Sequence, residues 1–410
     1  RDLRMSRGLG DVYKRQHLQC ETLKTNAMNH STFKSFTFGI GLFFTLPLVY
    51  GNSSSPSSSD GTLYINKSKT HKVAPVKYGF HYEEIGMMGE GALHAELIRN
   101  RSFEEATPPA GLSVKNGLYE NVPAPRVKEK KVFQADPLIG WTTYPLSYTP
   151  VFISRTDENP MSGENKYSML VNVTEDIANH PDALILNRGY YGMNLKTDTS
   201  YRLSLFLKNR NYSAPLRVFL VDEWGQRVSN VIEVNVGNRD WTKYTGELKP
   251  EKNVRRGMFA IQPMSKGQFQ IDVVSLFPSD TWNDGKSVFR KDIVQNLKEF
   301  SPSFIRFPGG CIVHGVNEET MYHWKKTLGP IENRPGQWSK WAPYYRTDGI
   351  GYHEFYELCE YVGADAMYVM PTGMICSGWV KQSPQWNFRH IDVDPVSYTH
   401  LRAHETCADL

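Results

Sequence analysis

Short segments of alternating apolar and polar residues recur through the middle of the chain and constrain its fold most strongly. The clearest are Tyr201–Asn209 (YRLSLFLKN), Pro215–Asp222 (PLRVFLVD) and Val231–Gly237 (VIEVNVG). Alternation places successive side chains on opposite faces of a strand. Strands separated by turn residues at intervals of roughly ten to fifteen residues are typical of an antiparallel sandwich. The pattern therefore predicts a β-sandwich over residues 111–279.

Strand and helix patterns alternate on either side of this region. Before it, VKYGFHYEEI (Val76–Ile85) predicts a strand, and a Gly-rich loop and a helical pattern up to Glu105 follow. After it, the helical pattern RKDIVQNLKEF precedes a strand in PSFIRFPGG, and GYHEFYELCEYVG precedes a strand in ADAMYVMPTG. Strands that alternate with helices in this way form parallel sheets.

These patterns predict a fold class of α/β plus all-β. Residues 75–110 form a first βα unit, and the sandwich of residues 111–279 is inserted after its strand. Residues 280–395 supply the second and third parallel strands with their helices.

The N-terminal region indicates export. Lys34 precedes an apolar stretch from Phe36 to Val49, and small residues follow near Gly51. This is the layout of a signal peptide over residues 28–51, and the stretch is too short to span a membrane. A buried core helix is the alternative, although Gly39, Gly41 and Pro47 disfavour it. We expect a secreted or periplasmic protein without membrane contact after cleavage, and a Ser-rich linker over residues 52–74.

Both ends of the chain differ in character from what adjoins them. Residues 1–27 precede a credible start at Met28, and residues 396–410 (VSYTHLRAHET and flanking residues) break off from the preceding pattern. Both resemble translated sequencing-adapter stretches, so we interpret them as artefactual, with natural extensions as the alternative. On this interpretation the natural protein continues beyond Pro395.

Composition excludes several classes of function. Hydrophobic residues make up 40% and charged residues 22% of the 410 residues, as in a soluble globular protein. Aromatic residues reach 12%, but the net charge is only +4 and no basic run accompanies them, which argues against a nucleic-acid partner and favours sugar stacking. The five Cys form no CxxC pair, so we expect no metal site, no cofactor and no disulfide framework.

Two segments carry candidate chemistry. Glu83 and Glu84 end the first strand, and neighbours on a strand point to opposite faces, so they cannot act as one catalytic pair. A solvated glutamate at a strand end is the alternative for each.

Arg306 lies within an apolar strand that ends at Gly309 and Gly310, and the carboxyl ends of parallel strands are where α/β barrels build active sites. An arginine paired with a structural carboxylate is the alternative. The glycines at 86, 89 and 91 lack the order of a nucleotide-binding loop.

Five ordered motifs resemble those of the family 51 α-L-arabinofuranosidases. They are YGFHYEEIG, GALHAELIRNRSFE, SPSFIRFPGGCIVHG, YHWKKTLGPIENRPGQW and TDGIGYHEFYELCEYVGAD. The resemblance covers residues 76–394 and includes the inserted sandwich found in one branch of the family. It implies a (β/α)8 barrel, of which this chain holds about three of eight strands. Family members release terminal α-L-arabinofuranosyl units from arabinose-containing polysaccharides, so we expect such a polysaccharide as the partner.

The resemblance also assigns site residues. It implies that Glu83 and Arg306 bind the arabinose, that Cys311 touches the sugar after the Gly-Gly turn, and that Trp341 lies at the leaving-group subsite. Trp324 matches a recurrent family tryptophan, with core packing as the alternative. The chain departs from the family at residues 371–373, where Pro-Thr-Gly replaces Asn-x-Gly.

The family's catalytic residues have no counterpart in this chain. The family retains configuration by means of two glutamates, held about 5 to 5.5 Å apart in such enzymes. No Asn-Glu pair in a WxxGNE-like setting follows Ala366, so no catalytic residue is assigned. We therefore expect a truncated, inactive chain from an active parent. A non-catalytic sugar-binding protein, or a relative with xylosidase or endoglucanase specificity, is the alternative.

Overall fold

The computed structural model describes residues 78–105, 136–315, 321–338 and 345–370, together with residues 68 and 70 and the short strands at 113–115, 118–120 and 133–134. All except residues 68 and 70 belong to one unit, Lys72–Leu410. The predicted signal peptide, both predicted artefactual ends and nearly all of the predicted linker lie outside the described residues.

The strands in chain order are β1 (Phe80–His81), β2 (Ser113–Lys115), β3 (Leu118–Glu120), β4 (Phe133–Gln134), β5 (Trp141–Tyr144), β6 (Val151–Thr156), β7 (Ser168–Val173), β8 (Leu184–Asn187), β9 (Met193–Leu195), β10 (Tyr201–Asn209), β11 (Pro215–Val221), β12 (Ile232–Asn235), β13 (Thr242–Leu248), β14 (Val254–Gln262), β15 (Gly267–Pro278), β16 (Phe304–Phe307), β17 (Gln337–Trp338), β18 (Tyr345–Arg346) and β19 (Asp365–Tyr368). The α-helices are α1 (Lys291–Phe300), α2 (Cys311–His314) and α3 (Tyr352–Val362). Short 3-10 turns lie at Ile177–Asn179, Trp324–Thr327 and Ile331–Asn333.

Two antiparallel sheets form a sandwich. One has the strand order β13-β10-β15-β7-β6 and the other β12-β11-β14-β8-β5. In β10, the side chains of Tyr201, Leu203, Leu205 and Leu207 are buried in the core between the sheets. The residues between them are more exposed, so the strand alternates as its sequence predicted.

The sheet that contains β14 gains a sixth strand, because β9 also pairs with β14, and it buries apolar side chains on its outer face as well. Leu184, Leu186, Phe219, Val221, Met258 and Ala260 form a second cluster there. Strands buried on both faces have nearly continuous apolar sequences. This explains why MFAI in β14 is apolar at every position.

A separate sheet holds β1, β16 and β19 in that order, and all its pairs are parallel. Phe80 is in register with Ile305, and Phe304 with Asp365. One face packs against α3, where the rings of Phe307 and Phe355 stack with centroids 4.8 Å apart. In sequence, the strands of the sandwich lie between β1 and β16, and β19 follows β16.

The helical pattern predicted after the Gly-rich loop, up to Glu105, does not form an α-helix. A single π turn at Gly89–Leu93 is followed by extended and irregular backbone, with positive φ at Asn100 and Phe103. The backbone N–H groups here bond to other parts of the chain: Ala95 N–H to the Val288 carbonyl at 2.8 Å and Leu97 N–H to the Leu276 carbonyl at 3.1 Å. These tertiary bonds replace the i to i−4 bonds that a helix would make.

Candidate active site at the carboxyl ends of the parallel strands

Glu83 lies two residues beyond the end of β1 and reaches the turn that follows β16. Its Oε1 atom accepts hydrogen bonds from the Gly310 and Ile312 N–H groups, both at 3.3 Å. The residue is buried, with 8% of its surface exposed. The alternative of a solvated glutamate therefore does not describe Glu83, because a buried carboxylate requires such partners.

The turn at Gly309 and Gly310 makes this approach possible. Gly309 has φ 139°, a conformation that residues with a Cβ rarely adopt. A Cβ there would also lie 2.3 Å from the Cγ atom of Glu83. Cys311 follows directly and begins α2, so it lies beside the backbone that Glu83 holds.

Arg306 lies on the same face of the sheet as Glu83. It is in register with His81, and residues 81 and 83 are two apart. The Nη1 atom of Arg306 lies 2.7 Å from Nε2 of His81. A Cβ on Gly310 would be 3.8 Å from Nη2 of Arg306. Glu83, Arg306 and Cys311, which the sequence identified separately, therefore converge on one turn.

His81 is a member of this group that the sequence analysis missed. Arginine always carries its protons, so His81 Nε2 accepts the bond and the imidazole is neutral with its proton on Nδ1. Burial and the neighbouring Arg306 charge lower the pKa of His81, while Glu83, 3.7 Å from Nε2, opposes them. Its position two residues before Glu83 on the predicted strand, and so on the same face, is the sequence signal that could have identified it.

Glu84 points away from Glu83, as strand alternation predicted. Its Oε2 atom accepts hydrogen bonds from the Tyr82 hydroxyl at 3.1 Å and the Gly89 N–H at 2.8 Å. Glu83 and Glu84 therefore face different surroundings, and they do not form a catalytic pair.

Behind the strand, Glu84 borders a small cavity. Its other lining residues are Tyr82, Gly89, Glu90, Phe307, Pro308, Ile312, Tyr322, Arg346, Asp348 and Ile350. Arg346 pairs with Asp348 within this buried region. Burial raises the pKa of Asp348, and the Arg346 charge opposes that rise. The cavity lies behind the turn at Gly309 and Gly310, because Pro308 and Ile312 flank that turn and also line the cavity.

Glu90 connects this region to the loop before α3. Its Oε1 atom accepts hydrogen bonds from Thr347, from N–H at 2.8 Å and from the hydroxyl at 2.7 Å. Nδ1 of His94 lies 3.8 Å from Oε2, which is an ion-pair distance. Burial would raise the pKa of Glu90, but His94 and Thr347 outweigh it and hold the pKa at about 2. Glu90 thus stays ionised and fixes the loop behind the candidate site.

The two tryptophans singled out in the sequence have different outcomes. Trp324 is buried and packs on Tyr352, with ring centroids 5.0 Å apart, which is the core-packing alternative. Trp341 lies outside the described residues, as do residues 371–373.

The described residues contain no group of three or more His, Cys, Asp or Glu placed to hold a metal ion. Among the helices described, none has the length and apolar character needed to cross a membrane.

The sequence and the fold resemble those of known α-L-arabinofuranosidases. The family model "Alpha-L-arabinofuranosidase 1 domain" matches residues 296–409. α-L-Arabinofuranosidase 1 of Arabidopsis thaliana is 27% identical over 334 residues, which are 80% of this chain and 45% of that protein. An extracellular exo-α-L-arabinofuranosidase of Streptomyces chartreusis is 27% identical over 307 residues, covering 72% of this chain and 32% of that protein.

A solved structure shows the same fold. The arabinose-bound GH51 α-L-arabinofuranosidase MgGH51 superposes with a TM-score of 0.62 at 24% sequence identity, over 78% of this chain and 47% of that one. The chain thus spans less than half the length of these relatives. The resemblance predicted from the five motifs is confirmed: this chain is similar to the α-L-arabinofuranosidases of glycoside hydrolase family 51.

Proposed function

We propose that the chain supplies the sugar-positioning part of a secreted α-L-arabinofuranosidase. The enzyme would release terminal α-L-arabinofuranosyl units from arabinose-containing polysaccharides. The observation that carries the proposal is the convergence of Glu83 and Arg306 on the Gly309–Gly310 turn, at the carboxyl ends of two parallel strands. Active sites of α/β barrels lie at this end of the sheet.

The chemistry of the group suits a sugar. A carboxylate accepts hydrogen bonds from hydroxyl groups, and a guanidinium donates to them, so Glu83 and Arg306 together can fix neighbouring hydroxyls of one ring. Two backbone N–H groups and His81 hold these side chains in place before a ligand arrives. Cys311 is proposed as a further contact beside Glu83, and Trp341 as a contact at the leaving-group side.

The bond-breaking residues are proposed to lie in a longer form of the protein. A retaining hydrolase needs two carboxyl groups about 5 to 5.5 Å apart, one as acid/base and one as nucleophile. Glu83 and Glu84 diverge and do not meet this requirement. We place the pair beyond Pro395, on later strands of a (β/α)8 barrel, and propose that this chain alone is inactive. The extracellular relative in Streptomyces chartreusis supports secretion.

Titration with L-arabinose, followed by nuclear magnetic resonance, tests the positioning role. Glu83→Gln and Arg306→Gln each remove a charged hydrogen-bonding partner, so we expect affinity to fall roughly tenfold or more. Glu223→Gln, an exposed glutamate on the sandwich, is the matched control and should bind like the parent. Equal affinity in the parent and both site variants would contradict the proposal.

A non-catalytic sugar-binding role for the sandwich is the second candidate. The observation that favours it is the exposure of Trp224, at 68%, on the hairpin that follows β11. Exposed aromatic rings offer flat faces for stacking. Loss of polysaccharide binding in Trp224→Ala, with retention in Glu83→Gln, would favour this candidate.

A further inference from the structure

The sandwich meets the loop that follows Glu83 through two adjacent tyrosines, Tyr190 and Tyr191. The loop, Ile85–Met88, begins two residues after Glu83. The hydroxyl of Tyr191 lies 3.7 Å from the Sδ atom of Met87. Part of the sandwich therefore contacts the loop that leads away from the candidate active site.

Tyr190 anchors this contact. Its hydroxyl donates to Oε2 of Glu90 at 3.2 Å, and the Arg99 guanidinium lies 5.9 Å from its ring centroid. Its ring fills the space beside Gly91, where a Cβ would lie 2.5 Å from the ring. Burial raises the pKa of Tyr190 well above its usual value, so the hydroxyl keeps its proton and remains a donor.

The turn that carries both tyrosines has a defined shape. Gly189 and Gly192 flank them with φ of 62° and 87°, and Gly192 N–H bonds to the Arg188 carbonyl at 3.0 Å. Both glycines occupy left-handed backbone, which a residue with a Cβ adopts only at a cost. These features define the backbone from which the Tyr191 side chain projects.

Tyr191 itself is left exposed, with 74% of its surface accessible. Ile85 and Met88, which belong to the same loop as Met87, are also exposed. Met87 has φ 63°, a left-handed conformation that costs about 1 kcal/mol or more for a residue other than glycine. Such strain is concentrated at ligand-binding segments, and here it places the Met87 side chain against Tyr191.

We propose that Ile85, Met87, Met88 and Tyr191 form a ledge that binds a main-chain sugar ring of the polysaccharide. This inference rests on the proposed function, because the ledge adjoins Glu83, which is assigned to the arabinose. The sugar that carries the arabinose must lie next to the arabinose site. The apolar side chains and the aromatic ring of the ledge can pack against the CH faces of the sugar ring. The Tyr191 hydroxyl can hydrogen-bond to the hydroxyl groups at the edge of that sugar.

Binding of two oligosaccharides tests the ledge: an arabinose-substituted xylo-oligosaccharide and a branched arabino-oligosaccharide, with L-arabinose alone for comparison. Tyr191→Ala should weaken binding of at least one oligosaccharide about five- to tenfold and leave L-arabinose binding unchanged. Tyr191→Phe should retain most of the affinity. Tyr148→Ala is the matched control, since Tyr148 is a sandwich tyrosine that is 55% exposed. The thermal midpoint of each variant checks its folding.

If Tyr191→Ala bound both oligosaccharides with the affinity of the parent chain, the proposed ledge would be wrong. It would also be wrong if the parent chain bound neither oligosaccharide. If the parent binds an oligosaccharide through Tyr191 but L-arabinose binding does not depend on Glu83, the ledge stands and the assignment of Glu83 fails.

Discussion

Glu83 and Glu84 are adjacent in sequence, yet one faces the candidate site and the other a buried cavity. Strand alternation predicted this divergence, because it depends on local backbone geometry alone. The bonds that hold Glu83 could not be predicted in the same way, since they come from residues more than two hundred positions away. The role of His81 depends equally on its register with Arg306, which the sequence does not contain.

His81 should make sugar binding depend on pH. Its neutral form accepts the Arg306 bond, and protonation removes that acceptor and places two positive charges together. The pKa of His81 is lowered from 6.5, so arabinose affinity should be constant near neutral pH and fall as pH decreases below about 6.5. Glu83 and Arg306 are the charged groups that act on it.

Titration of arabinose affinity against pH measures this effect. His81→Asn keeps an acceptor without titrating in this range, so its profile should lose the acid-side decrease that belongs to the imidazole. Protonation of Glu83 would still act at lower pH. An identical acid-side midpoint in the parent and the variant would show that His81 does not control the arginine.

At the scale of elements, the strands and long helices were predictable and the segment at 94–105 was not. The alternation in β10 and β11 follows from one face packing on the core, which is a periodic and local signal. The segment at 94–105 carries a helical pattern, but Glu96 accepts bonds from Ile98 N–H at 2.9 Å and Leu276 N–H at 2.8 Å. Partners in another element outweighed local propensity there.

The beginning of α3 depends on a buried ion pair. Glu354 accepts a bond from Gly351 N–H at 2.9 Å, which caps the helix, and bonds to both terminal nitrogens of Arg334 at 2.7 and 3.0 Å. Glu354→Ala would leave the buried Arg334 charge without this partner, so we expect the free energy of unfolding to fall by about 3 to 5 kcal/mol. Denaturant unfolding followed by circular dichroism measures the change.

Glu360→Ala on the same helix is the control for that measurement. Glu360 is exposed, and the substitution should change stability by less than about 0.5 kcal/mol. A Glu354→Ala variant as stable as Glu360→Ala would show that the pair does not support the helix.

At the scale of the whole molecule, the inserted sandwich leaves β1 beside β16. The segment that precedes the insertion lies beside the segment where the insertion ends, because Leu97 N–H bonds to the Leu276 carbonyl and Ala95 N–H to the Val288 carbonyl. A domain whose ends meet can be inserted without separating the strands that flank it. The spacing of the sequence patterns predicted the insertion, whereas this connection became visible only in three dimensions.

The described part of the parallel sheet comprises β1, β16 and β19, and a sheet edge exposes unpaired backbone groups. We propose that this sheet positions the sugar and that further strands carry the cleavage. Hydrolysis of p-nitrophenyl α-L-arabinofuranoside tests that division most directly. We predict no release of p-nitrophenol by this chain and release by the gene product that continues beyond Pro395, with kcat/KM reduced in its Arg306→Gln variant. Release by this chain alone, or none by the longer product, would contradict the account.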